Sequence, residues 1–223
     1  MVDYLAWRGD VPLSVSPWNE IDGLLAATVS YLNFYGVGNP RGWTLEEMAR
    51  INLLQPSDNA SFSGRKAAFE AMAKGERFRD SRIHHAIALT DAEIGMQFSA
   101  MCMDLPDGTT CVAFRGTDNT LVGWKENFNM GFASPVPAQR LAVAYFQELA
   151  EKTPGSFLLG GHSKGGNLAV YAAACCDPAV QDRIVEIWSF DGPGMDPEVY
   201  QSEGYQRIAG RIHSCVPQTS IVG

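Results

Sequence analysis

The chain has 223 residues, 46% of them hydrophobic and 19% charged, which is ordinary globular usage and excludes a disordered or fibrous protein. Its formal charge of -8 leaves no electrostatic footprint for nucleic acid and no polybasic attraction to anionic lipid. No basic N-terminal stretch leads into an apolar run, and no apolar run reaches the ~18 residues a membrane span needs, so a cytoplasmic protein without stable membrane insertion is expected. The length fits one domain, 1–223.

The N-terminal part, 1–95, reads as mainly helical. Ser16-Pro17 has the character of an N-cap followed by proline in the first turn, and Ile21, Leu25, Val29 and Leu32 then recur at helical spacing as far as Gly36. Thr44-Leu45-Glu46-Glu47 fits a capping box that opens a second helix, and the alanines and Phe69 between Gly64 and Gly75 predict a third. From about Met96 short apolar runs take over. Phe98 to Met103 and Thr110 to Phe114 flank Leu105-Pro106-Asp107-Gly108, a turn sequence that predicts an antiparallel hairpin. Leu141, Tyr145 and Leu149 mark an amphipathic helix ended by Pro154-Gly155. Strands are predicted at Phe157 to Gly160, Ile184 to Phe190 and Ile208 to Cys215, with a helix from near Gly165 to Cys176. Strands alternating with helices imply an α/β protein whose parallel sheet, 96–223, is entered by the hairpin. The five cysteines, Cys102, Cys111, Cys175, Cys176 and Cys215, lack zinc-site spacing and read as reduced core residues; no metal or cofactor is expected.

The sharpest motif is Gly161-His162-Ser163-Lys164-Gly165, set between a predicted strand and a predicted helix. That context is what a G-x-S-x-G nucleophile elbow requires, because the serine occupies a tight turn and the flanking glycines let strand and helix approach. Ser163 is the candidate nucleophile. The Lys164 N–H, at the start of the helix, is a candidate oxyanion donor, while its side chain reads as a solvated surface lysine. His162 is expected to pack locally. A second motif, Cys111-Val112-Ala113-Phe114-Arg115-Gly116-Thr117, runs a strand into a small polar loop, and Thr117 is the candidate for the second oxyanion donor; the alternative is a strand-end turn whose threonine only satisfies backbone groups.

With both motifs in hand, the chain resembles the class 3 lipase branch of the α/β hydrolases, and still more the bacterial lipase-like family known as Mbeg1-like or DUF2974. The segments that carry the likeness are "DYLAWRGD", "VAFRGTDNTLVGWKENFNM", and "GGHSKGGNLAVYAA" with "SFDGPG" after it. The resemblance implies an α/β-hydrolase fold, ester or lipid substrates, Ser163 on the nucleophile position and Thr117 on the oxyanion loop. Gly123-Trp124 resembles the segment after that loop, where a tryptophan packs near the site.

A serine needs an adjacent base held by a third group, and chain order in this fold is serine, acid, histidine. His213 is the one histidine after Ser163. Asp191, closing the strand before Gly192-Pro193-Gly194, is the candidate acid, with turn formation as its alternative and Asp196 as a weaker candidate. Class 3 lipases carry an aspartate just before a "VP" near here, whereas this chain has Ser214-Cys215 before Val216-Pro217. The strands predicted from Phe98 onward are also fewer than a complete sheet carries. A continuation holding the catalytic histidine, and self-association through an exposed sheet edge, are therefore expected. The expected activity is carboxylic-ester hydrolysis through an acyl-enzyme on Ser163. The alternatives are a non-catalytic binding or regulatory protein on a hydrolase scaffold, and a thioesterase or acyltransferase.

Overall fold

The computed structural model describes residues 1–34, 42–51, 60–117, 121–130 and 135–220. In chain order these form α1 (Val2–Arg8), α2 (Glu20–Val29), β1 (Trp43–Thr44), α3 (Leu45–Arg50), α4 (Ala60–Lys74), β2 (Arg82–Asp91), β3 (Met96–Asp104) and β4 (Thr110–Phe114). There follow α5 (Leu121–Asn129), α6 (Pro137–Lys152), β5 (Phe157–His162), α7 (Lys164–Cys175), α8 (Pro178–Gln181), β6 (Ile184–Phe190), α9 (Pro197–Gln201), α10 (Glu203–Ile208) and β7 (Ile212–Cys215). The strands make one seven-stranded sheet in sequential order, antiparallel from β1 to β4 and parallel from β4 to β7, with helices on both faces, an α/β-hydrolase arrangement.

Side-chain alternation along the central strands builds two cores. Phe98, Ala100 and Cys102 of β3, Val112 and Phe114 of β4, and Phe157 and Leu159 of β5 pack with Ala142 and Phe146 of α6 and with Leu168 and Ala172 of α7. The intervening residues, among them Met101, Met103, Cys111, Ala113 and Leu158, face Leu25 and Val29 of α2, Met48 of α3, and Phe69 and Met72 of α4. The N-terminal helices are thus one of the two layers that cover the sheet. They are tied to one another by a buried ion pair: Arg77, just after α4, donates from Nε and a terminal nitrogen to Asp22 of α2, and its remaining donors reach the carbonyls of Val11, Ser16 and Pro17. Among the described residues no helix is long and apolar enough to cross a membrane.

Several expected boundaries move. The sheet begins earlier than expected, because β1 and the whole of β2 fall within the stretch read as helical. Helix α2 is capped by Asn19, whose side chain accepts from the Ile21 and Asp22 N–H groups, rather than by Ser16, and it stops at Val29. Position 36, its expected end, lies outside the described residues. The Thr44 capping box is present as read, with Glu47 returning a bond to the Thr44 N–H. The last strand is shorter: residues as far as Ile208 are helical, because the Ser202 hydroxyl caps α10 at the Tyr205 N–H and Ile208 closes that helix fully buried. Of the cysteines, Cys102, Cys111 and Cys176 are buried, Cys215 is intermediate and Cys175 is exposed, which corrects its reading as a core residue.

Candidate active site

The parallel strands β4 to β7 end together, and the candidate residues collect at that carboxyl rim, where open α/β sheets place their sites. Ser163 turns the chain from β5 into α7 with φ 56 and ψ -130, a left-handed conformation that a non-glycine residue holds only under strain. Its N–H donates to the Phe190 carbonyl at 2.8 Å, and its carbonyl accepts from the Gly166 N–H at 2.8 Å, so strand and helix fix the turn from both sides. The glycines of the motif are steric requirements. A Cβ at Gly161 would lie 2.3 Å from the Gly165 carbonyl carbon, and one at Gly165 would lie 2.1 Å from the Phe114 carbonyl oxygen.

The loop after β4 runs beside this turn. A Cβ at Gly116 would lie 3.3 Å from the Ser163 Cβ and 2.2 Å from the Tyr31 hydroxyl, so only glycine lets the loop press against the serine. The next residue, Thr117, has a buried hydroxyl with no hydrogen-bond partner among the described residues. A buried hydroxyl left unpaired costs free energy, which sets Thr117 apart from the satisfied groups around it.

Tyr31 closes the other side, and no local signal in the sequence pointed to it. Its hydroxyl accepts from the Gly116 N–H and lies 3.1 Å from His162 Nδ1, while the Arg65 guanidinium sits 4.1 Å above its ring. Burial raises the Tyr31 pKa, against the lowering effects of Arg65, the Gly116 N–H and Arg115. His162 is held below the usual imidazole value, chiefly by desolvation, with Asp191 pulling upward and Arg65 downward. His162 is exposed at the elbow and meets Tyr31 through its Nδ1.

Asp191 leaves β6 in a left-handed conformation (φ 53), with its N–H donating to the Cys215 carbonyl at 2.8 Å and one carboxylate oxygen accepting from the Ser220 hydroxyl. The loop after it is held by Asn167 of α7, whose amide donates to the Pro193 and Gly194 carbonyls at 3.1 and 3.0 Å. Asp196 instead caps α9 through the Glu198 N–H. His213 is two residues below the rim on β7. Its ring stacks on Trp188 with centroids 4.2 Å apart, and its Nε2 faces Glu186 at 3.7 Å. The structure thus gathers Ser163, Gly116-Thr117, His162 and Asp191 at one rim and turns His213 toward Trp188 and Glu186.

Lys164 departs most from its expected environment. Its side chain is fully enclosed rather than solvated, donating to the Gln97 carbonyl, to Gln97 Oε1 at 2.9 Å and to Glu126 Oε2 at 2.9 Å. An enclosed ammonium is tolerable because all three of its donors are taken and one acceptor is a carboxylate. Trp124 lies on α5, with its side chain outside the described residues. Among the described residues no cluster of His, Cys, Asp or Glu could hold a metal ion.

Residues 72–223, from within α4 to the last residue, match the family model described as Mbeg1-like. The chain belongs to the Mbeg1-like family. The matched span holds the elbow, the Gly116-Thr117 loop and Asp191, while Tyr31 and Arg65 come from the residues before it. Two solved structures are similar to this Mbeg1-like chain. One is a fungal lipase-inhibitor complex described as a model for interfacial activation in lipases, with 13% identity and a TM-score of 0.47 over 70% of this chain and 62% of that one. The other is a Rhizomucor miehei lipase propeptide complex, with 13% identity and a TM-score of 0.46 over 96% of this chain and 60% of that one. The chain thus spans about three fifths of the length of each. No curated protein matches it.

Proposed function

We propose that this Mbeg1-like protein is a serine hydrolase of carboxylic esters, with Ser163 as the nucleophile. The observation that carries the reading is the left-handed backbone of Ser163 between β5 and α7, a strained geometry at a residue whose side chain makes no capping bond to the helix. In the proposed reaction the Ser163 Oγ bonds to the ester carbonyl carbon while its proton passes to a general base. The C–O bond then breaks, the alcohol leaves with a proton, and water hydrolyses the acyl-serine. The Thr117 loop and the Lys164 N–H at the start of α7 hold the oxyanion, and the unpaired Thr117 hydroxyl supports that role. Asp191 is the acid of this reading, because it leaves the strand next to the elbow. Thioester cleavage or acyl transfer would use the same serine.

A second reading, a binding or regulatory protein on a hydrolase scaffold, is favoured by one observation. His213 is stacked on Trp188 beside Glu186, which argues against its serving as the base. Turnover of short p-nitrophenyl esters separates the two. Under the enzyme reading the wild-type chain hydrolyses them and Ser163→Ala does not, with cooperative folding retained. Equal rates in the two proteins would support the binding reading.

A further inference from the structure

The proposed oxyanion donors need an anchor, because a donor displaced by even an ångström no longer meets the developing charge. Lys164 is the residue after the proposed nucleophile, and its side chain runs from the first turn of α7 into the protein interior. There its Nζ meets Glu126 of α5 and Gln97 of β3. Glu126 is equally buried, and each of its oxygens is engaged: Oε2 also accepts from the Gln97 N–H at 2.9 Å, and Oε1 accepts from the Ala138 N–H at 3.0 Å, in the first turn of α6. One ion pair therefore joins the starts of α6 and α7, the first residues of β3, and α5.

We propose that Lys164 and Glu126 are positioning residues for the oxyanion site: their buried ion pair fixes the first turn of α7, and with it the Lys164 N–H, beside Ser163. The proposal rests on Ser163 being the nucleophile. Stability alone is a poor reason for such a pair, since apolar residues of similar volume hold a core at least as well as buried charges do. The pair is stationed where two chain segments must meet at a defined distance, and a salt bridge with every donor and acceptor filled admits only one such arrangement.

The test uses the whole chain and reads three quantities: the rate at which a fluorophosphonate labels Ser163, corrected for the folded fraction; kcat and KM on a short p-nitrophenyl ester; and the melting temperature. The variants are Glu126→Gln, Lys164→Met and the double Lys164→Met/Glu126→Leu, with Glu148→Gln as a control at the exposed Lys152–Glu148 pair. Loss of one oxyanion donor typically slows turnover ~10²–10³-fold, and both single variants should show a loss of about that size in labelling rate and kcat with KM nearly unchanged. The double variant should regain melting temperature relative to the singles, because no charge is left uncompensated, yet it should label as slowly as they do. It also keeps the proposal decidable should a single variant fail to fold. A folded variant that labels at the wild-type rate would overturn the positioning role, and so would a double variant whose rate recovers along with its melting temperature. Absence of wild-type labelling would be a different failure, removing the nucleophile and this role with it.

Discussion

At Ser163 the backbone holds φ 56 and ψ -130, a conformation in which a side chain costs roughly 1–3 kcal/mol. Glycine adopts it without that strain and loses ~0.5–1 kcal/mol of chain entropy in exchange. Ser163→Gly should therefore fold, and be more stable than wild type by about 1 kcal/mol while losing all serine reactivity. Urea unfolding of the pair measures this directly. A Ser163→Gly protein less stable than wild type would mean that the turn is not strained.

Two imidazoles add a dependence on pH. His85 and His162 are both held below the ordinary value of 6.5, each chiefly by desolvation. Their folded pKa values lie below those of the unfolded chain, so on acidification the unfolded state takes up protons first and the native state loses stability as pH falls through about 6.5. The melting temperature should decline from pH ~7.5 to pH ~5.5, and His162→Gln should flatten part of that decline. An unchanged slope in the variant would place the titrating group elsewhere.

At the scale of elements, the Arg77–Asp22 pair holds the end of α4 against α2 and the segment before it. Both side chains are fully buried, and Asp22 also accepts from the Tyr4 hydroxyl and the Asn19 N–H. Removing one partner of such a pair leaves a buried charge and typically costs ~3–5 kcal/mol. Arg77→Met should destabilise by about that amount in denaturant unfolding. It should also loosen Tyr31, which enters the site from the end of α2. A loss under ~1 kcal/mol would show that apolar packing alone holds these N-terminal segments together.

Elements written in local sequence were legible. The Thr44 capping box lies within four residues, the β3–β4 turn within a few more, and the elbow is a pentapeptide between a strand and a helix. What depends on distant partners was not. Lys164 read as solvated because nothing near it in sequence announces Glu126, 38 residues away, and Tyr31 meets His162 across 131 residues. β2 was missed for a related reason. It is a long strand beside β3 with one deeply buried residue, Ile83, and a bulge after His84, so it lacks the apolar alternation by which a strand is recognised.

At the scale of the whole molecule, the parallel half of the sheet brings a strained serine, a glycine loop with an unpaired buried hydroxyl, and an aspartate to one rim, and two helical layers hold that rim in place. If this rim activates Ser163, the serine reacts with an electrophile that ordinary hydroxyls ignore. The most direct measurement is to treat the intact chain with a fluorophosphonate and locate the adduct by peptide mass spectrometry. A single adduct is expected on Ser163, formed on the folded protein and lost on denaturation before treatment. No adduct, or one on another hydroxyl while Ser163 stays unmodified, would contradict it.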